Sequence, residues 1–338
     1  MLSNHSKNVP KQVQRTSINS SSVASTDSWK QTGSVQGNDL IDFFMFENFA
    51  TTSDGGVAQY VTGDEASKSG MVQVQGDSVR FNVDTTPHVD GVRKSIRVSS
   101  KNAFNAGTML IIDVEHMPAA CGVWPALWTT ARDGSWPEKG EIDIIEGVNL
   151  LTYNSLSAHT KPGFVMEENG FSSKFLMSSD QKNNCDAKGT NDQGCGLSDP
   201  VNGTYGTPFN QAHGGVFVMD WTEKYITLFF FERGNIPEDI AAGNPSKTAS
   251  WRQSTPRAKF QDINGQSTST YFIDHVLVLN TNLCGQWPSD SWGTAPYSGQ
   301  STNCAEMTGH DSCSSYVLSS GDQLGEAYWS IHSIKTYQ

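Results

Sequence analysis

From about residue 27 onward the chain carries almost no helical periodicity, which argues against folds built on long amphipathic helices. Short apolar runs and period-two alternation recur instead. Thr108–Val114 reads as a strand, Val216–Trp221 and Tyr225–Phe231 as a hairpin around Thr222–Lys224, and Tyr271–Asn280 and Ala327–Tyr337 as further strands. Gly, Asn, Asp and Pro clusters such as Asn202–Pro208 and Ser289–Ser298 part them. One short helix is expected, at Pro237–Ala242. With many strands and no βαβ rhythm, the pattern predicts an all-β sandwich or jelly roll. There is no internal repeat and no second shift in composition, so residues 27–338 read as one domain. Phe171–Pro208 is long and polar, contains two cysteines, and is expected to be an ordered loop held by a disulfide.

Charge and cysteine usage narrow the function classes. Lys plus Arg is 23 against 35 Asp plus Glu, a net charge of −12, which disfavours phosphate backbones and anionic lipid: no nucleic-acid partner is expected. No apolar run approaches the ~20 residues of a membrane span; the longest patches resemble Leu40–Phe46 and Ile226–Phe231. The six cysteines (Cys121, Cys185, Cys195, Cys284, Cys304 and Cys313) include no CxxC pair. They fit one to three disulfides in an oxidising compartment, with the pairing left open. Sequons at Asn4, Asn19 and Asn202 agree with secretion. Residues 1–26 are rich in Ser, Asn, Gln and Lys and lack the apolar stretch of a signal peptide; a disordered tail is expected there. No GxSxG elbow, P-loop or HExxH motif is present.

The segment that carries chemistry is Cys121–Gly147, CGVWPALWTTARDGSWPEKGEIDIIEG. On a strand, Glu141 and Asp143 share a face, and regular alternation would put Ile145 on that face and turn Glu146 into the core. A buried, unpaired carboxylate is costly. One extra residue at a β-bulge removes the conflict by turning Glu146 back to the acidic face, leaving Ile142 and one of Ile144 or Ile145 for the core. Three carboxylates in a row raise the pKa of at least one of them. That suits glycoside cleavage, in which one carboxylate attacks the anomeric carbon and another donates a proton. A solvated edge or a calcium site would also accept such a row. Three tryptophans just upstream, Trp124, Trp128 and Trp136, tilt the reading toward a glycan cleft, since indole faces cover the apolar faces of sugar rings.

WPALW followed by GEIDIIEG closely resembles glycoside hydrolase family 16, in its fungal laminarinase-like branch of endo-β-1,3(4)-glucanases. Ser95-Ile96-Arg97, Ala158-His159-Thr160, Asn183-Asn184-Cys185, Gly194-Cys195-Gly196, Cys284-Gly285-Gln286-Trp287 and Ser333–Gln338 extend the resemblance over the chain after residue 26. It implies a curved, concanavalin A-like jelly-roll sandwich with an open cleft on its concave face. It implies Glu141 as nucleophile, Glu146 as general acid and then base, and Asp143 as the residue that tunes the nucleophile. Trp128 and Trp136 would contact donor-side sugars, Trp287 would form a platform further along, and His159 and Arg97 would be polar contacts. Trp124 is expected to be structural. Without the resemblance, His159 reads as a hydrogen-bonded strand histidine and Arg97 as a surface cation.

Two positions depart from the family pattern. Thr129 stands where relatives often carry Glu, which would alter subsite contacts. Ser330 replaces an Asp that lies near a convex-side calcium in some bacterial members, so no metal is expected. The resemblance implies a secreted, monomeric, cofactor-free retaining enzyme that cuts laminarin-type or mixed-linkage β-glucan. The alternatives are a β-glucan-remodelling transglycosylase using the same residues, a non-catalytic β-glucan-binding module, and a lectin-like sandwich with calcium on its acidic row.

Overall fold

The computed structural model describes residues 29–338, so the tail expected over 1–26 lies outside the described residues. Two eight-stranded antiparallel sheets pack face to face. The concave sheet runs in the order Lys174–Phe175, Cys195–Ser198, Ser155–His159, Glu141–Glu146, Val123–Ala131, His275–Leu283, Arg97–Ser100 and Phe44–Phe46. The convex sheet runs Ala258–Phe260, Ile226–Glu232, Gly215–Trp221, Thr108–His116, Tyr328–Tyr337, Ser78–Asn82 and Val72–Gln75, with Gln31–Val35 also pairing to Tyr328–Tyr337. Neighbours in these sheets are often far apart in sequence, as expected of a jelly roll.

Alternation explains the core. Leu110, Ile112 and Val114 of Thr108–His116 face the concave sheet, where Leu127, Ile142, Leu156, Leu277 and Leu279 meet them. Met109 and Ile111 of the same strand point the other way, into a second cluster with Val216, Val218, Phe229, Ile240 and Trp251. The helix Glu238–Ala241 and the turn Ser250–Gln253 contribute Ile240 and Trp251 to that cover. A strand buried on both faces reads as a continuous apolar run rather than as alternation, and TMLII does. Each fully buried aliphatic side chain contributes about 1.5–3 kcal/mol.

The expected hairpin forms, with Val216 opposite Phe231 and Trp221 opposite Ile226. The segment expected to be a strand from Tyr271 pairs in the concave sheet only from His275, after a turn at Thr268–Thr270. Helix content exceeds the single helix expected. Asn38–Phe43, Gly63–Lys68, Gly206–Gln211, Gln286–Asp290, Cys304–Thr308 and Cys313–Ser319 are helical besides Glu238–Ala241. None is long enough to show a 3.6-residue repeat, and local caps define several of them. Thr62 Oγ1 accepts from Glu65 N–H at 3.3 Å, and Asn303 Oδ1 from Glu306 N–H at 2.8 Å. None of the described helices is long and apolar enough to cross a membrane.

All six cysteines pair, as Cys121–Cys304, Cys185–Cys195 and Cys284–Cys313. Two of these bridges tie the C-terminal helices Cys304–Thr308 and Cys313–Ser319 to the sheet ends near Val123 and Leu283, within a satellite core that includes Tyr60, Trp292 and Val317. The third closes the polar loop between Phe171 and Pro208, as expected, and Cys195 itself begins a concave-sheet strand.

Candidate active site

The bulge is present on both sides of Glu141–Glu146. Asp143 pairs with Ser157 and Glu146 with Ser155, so three steps on this strand match two on its neighbour. On the other side Asp143 faces Trp128, Ile145 faces Leu127 and Glu146 faces Ala126. The extra residue restores Glu146 to the face of Glu141 and Asp143. Ile142, Ile144 and Ile145 are all buried in the main core, so the bulge supplies the core with both Ile144 and Ile145 rather than with one of them.

A cleft of about 200 Å³ brings Glu141, Asp143, Glu146, Trp124, Trp128 and Arg97 together. Asp143 is buried, and its Oδ2 accepts from Ser157 Oγ at 2.5 Å. His159 Nε2 lies 3.2 Å from the same oxygen and 3.7 Å from Glu141 Oε1. Glu146 Oε1 accepts from the Trp124 indole N–H at 2.9 Å. Trp124, expected to be structural, is therefore part of the cleft wall and holds a carboxylate. Trp128 donates to Asn280 Oδ1 at 2.7 Å, which fixes the indole plane. Arg97 donates to Glu47 Oε2 at 2.9 Å, and its guanidinium lies 4.9 Å from the centre of the Trp128 ring. The exposed Phe49 also lines the cleft, 5.5 Å from Arg97 and edge-on to Tyr60.

The remaining expected residues border this cleft rather than line it. Trp136 is 40% exposed, with its ring centre 6.4 Å from that of His159. Trp287 meets Trp124 edge-on at 6.0 Å and donates to the Tyr297 hydroxyl. Thr129 does not reach the cleft. It is fully buried, with Oγ1 2.9 Å from His275 Nδ1, because alternation turns it to the opposite face from Trp128, so its expected effect on subsites is not supported. On the convex sheet Ser330 Oγ donates to Glu115 Oε2 at 2.8 Å. Sequence reasoning also missed Glu47, Ser157 and Asn280. Glu47 and Asn280 act through partners far along the chain and Ser157 through its neighbour on the adjacent strand, and no local motif announces such a pairing.

The electrostatics follow from crowding. Burial, then the charge of Asp143, pushes Glu141 well above the ordinary carboxylate range, while His159 and Arg97 oppose the rise. Burial and Asp143 likewise push Glu146 up, and the Trp124 hydrogen bond pulls against them. Burial alone would lower His159, but its bond to Asp143 and the charges of Glu141, Asp143 and Glu146 outweigh it and push the imidazole up to about 9. The backbone of Gly194 lies against this ring. A Cβ there would sit 2.8 Å from His159 Nδ1 and 2.3 Å from the Ala158 carbonyl oxygen, at a φ of +56°, so only glycine fits. Ligand atoms of Glu141, Asp143 and His159 lie within 4.8 Å of one another, close enough to hold a cation. A histidine must be neutral to bind a metal, and the carboxylates around this one favour its protonated form instead. The cluster can thus carry a proton on one glutamate near neutral pH beside an ionised partner.

Comparison with known proteins identifies the family. Residues 43–337 match the family model for the XgeA-like catalytic domain of GH16. A probable glycosidase of Schizosaccharomyces pombe is 35% identical over 305 residues, covering 90% of this chain and 68% of that protein. A probable endo-1,3(4)-β-glucanase of Neosartorya fischeri is 37% identical over 314 residues, covering 90% of this chain and 45% of that protein. The chain thus spans about half the length of several curated relatives it matches. Among solved structures, GH16 laminarinase 16A of Phanerochaete chrysosporium, with β-glucans in its donor and acceptor sites, superposes with a TM-score of 0.80 at 30% identity, covering 92% of this chain and 100% of that one. An elongating GH16 β-1,3-glucosyltransferase gives 0.78 at 31%, again over 92% and 100%. The chain belongs to glycoside hydrolase family 16, in its XgeA-like branch.

Proposed function

We propose that this domain, residues 27–338, is a retaining endo-β-1,3(4)-glucanase. The observation that carries the reading is the bulged strand, which puts Glu141, Asp143 and Glu146 on one face in a cleft walled by Trp124 and Trp128. Glu141 attacks the anomeric carbon while Glu146 gives its proton to the glycosidic oxygen, so the C–O bond breaks as the glycosyl-enzyme ester forms. Glu146, now a carboxylate, takes a proton from water. The water oxygen displaces Glu141 from the sugar, and the β-configuration returns. Asp143 and His159 tune Glu141, and the imidazolium offsets part of the repulsion that would otherwise keep Glu141 protonated. Trp128 and Trp136 contact donor-side sugars with Arg97, and Trp287 extends the platform.

Relatives named as endo-1,3(4)-β-glucanases support the substrate class, and the laminarinase solved with β-glucans bound supports the cleft as its site. The glucosyltransferase supports a second reading, in which a sugar hydroxyl replaces the water in the second step. Three disulfides support an extracellular location, where such bridges persist, and a monomer is sufficient because every residue invoked comes from one chain. A proton NMR time course with laminarin, lichenan and agarose in parallel tests the proposal. First appearance of the β-anomer from laminarin supports it; early α-anomer, or cleavage of agarose alone, overturns it. Longer products from a single pure oligosaccharide would select the transferase reading.

A further inference from the structure

The bulge that returns Glu146 to the cleft takes backbone groups out of the ladder, and they need partners elsewhere. One side chain serves two of them. Asn154 Oδ1 accepts from the Glu146 N–H at 3.0 Å, and Asn154 Nδ2 donates to the Ile144 carbonyl at 2.8 Å. Asn154 is 1% exposed and immediately precedes the strand Ser155–His159. It is itself anchored. Its N–H donates to Thr204 Oγ1 at 3.1 Å, and its carbonyl accepts from the Asp199 N–H at 2.8 Å. Beyond Glu146 the chain is clamped by the same loop. The Tyr205 ring fills the space of a Gly147 side chain, whose Cβ would lie 2.7 Å from Tyr205 Cζ.

We propose that Asn154 is a positioning residue for the Glu146 carboxyl, acting by fixing the bulge in the one form that aims this side chain at the glycosidic oxygen. This rests on reading Glu146 as the acid and base. The physical reason is the two-residue period of a strand: if the extra residue moves by one position, Glu146 changes face. An amide suits the task because it accepts and donates at once, bridging both sides of Ile145. Asn154 does not enter the cleft lining and touches no reacting atom. Its effect is therefore confined to steps that need a well-aimed proton.

The test compares a poor leaving group with a good one. Laminari-oligosaccharides need protonation of the leaving oxygen, whereas a 2,4-dinitrophenyl β-laminaribioside does not. Glu146→Ala, the reference, is expected to lose most of its activity on the oligosaccharide, to form the glycosyl-enzyme from the aryl glycoside at near wild-type rate, and to be accelerated by azide. Asn154→Ala is expected to follow the same pattern more weakly, with kcat on the oligosaccharide down roughly 30- to 100-fold and aryl-glycoside glycosylation within about 3-fold. Asn154→Asp keeps the acceptor for Glu146 N–H. Its activity is expected to recover toward acid pH, where the new carboxyl is protonated and donates as the amide did. Equal loss on both substrates in Asn154→Ala, or no loss on either, overturns the proposal, as does the absence of pH-dependent recovery in Asn154→Asp. If Asn154→Ala does not fold, Asn154→Asp decides by that recovery. If Glu146→Ala itself loses both substrates equally, the acid/base reading fails instead, and the reference variant makes the two failures distinguishable.

Discussion

Two groups of charged side chains lie on opposite faces of the sandwich, and they are built on different principles. The convex-face cavity is the larger, about 640 Å³, and holds Asp113, Glu115, Arg80, Arg233, His116 and His332. There opposite charges meet. Arg233 grips Asp113 with two donors at 2.5 and 2.9 Å; beside this pair His116, which burial pushes below its usual pKa, hydrogen-bonds to Glu326 at 3.0 Å, and Tyr328 is sandwiched between Arg80 and His116. On the concave face three carboxylates share a smaller cleft with a single imidazolium in contact. Complementary pairing stabilises a surface, while crowded like charge costs stability and holds protons where chemistry can use them. Cavity size alone would select the convex face, whereas the crowding of like charge favours the concave one, where the proposed chemistry is placed.

Removing carboxylates one at a time sharpens that contrast. Glu141→Gln should abolish turnover of β-glucan, a loss on the order of 10⁴-fold or more, while the circular dichroism spectrum stays unchanged. Residual activity above a few per cent in a preparation free of wild-type enzyme would break the assignment. Replacing the imidazolium comes next. His159→Gln removes the cation that opposes the rise of Glu141, so the acidic limb of the kcat/KM profile should move to higher pH by roughly one unit. A limb that stays in place, or moves down, would remove His159 from this role. Trp136→Ala should raise KM on long glucans by roughly 3- to 10-fold, from lost stacking of about 0.5–1.5 kcal/mol. Unchanged steady-state kinetics would take this exposed indole out of the substrate path.

The smallest effects are on stability, and they have opposite signs on the two faces. Glu141 has a folded-state pKa above its unfolded value, so its protonated form is favoured by folding. That contribution is complete below the unfolded pKa and is lost as pH rises through the folded one. Glu141→Gln should therefore raise Tm at pH 7.5 by a few degrees and lose that gain at pH 4, with thermal scans at both pH values as the check. Asp113→Ala should do the reverse. It leaves the Arg233 fork without its carboxylate and should cost about 1–2 kcal/mol, with kcat on laminarin unaltered. Stabilisation by Asp113→Ala, or a fall in kcat, would end the comparison.

Much of the concave face could be read from one stretch of sequence. Glu141, Asp143 and Glu146 lie within six residues, so strand periodicity and the cost of a buried carboxylate sufficed to place a bulge between them. Residues whose role depends on distant partners were not legible in this way. Trp124 was expected to be structural because nothing local says that its indole N–H reaches Glu146, 22 positions on. The hold of Asn280 on Trp128 spans 152 positions, and that of Glu47 on Arg97 spans 50. The short helices were missed because each is too short to show a 3.6-residue repeat, and only three of them carry a side-chain cap. The contacts of His275 were not legible because its partners, Thr129 and the Lys139 carbonyl, belong to other segments.

By itself the sequence determined the class of the fold, the acidic row, the bulge and the presence of disulfides, since each depends on alternation, local composition or the cost of burying a charge over a few residues. Tertiary structure alone decided which cysteines join, which tryptophans hold carboxylates, and how far each glutamate is pushed from its ordinary pKa. Those outcomes depend on burial and on charges brought within a few ångströms by strands far apart in the chain, and neither quantity exists until the two sheets have packed.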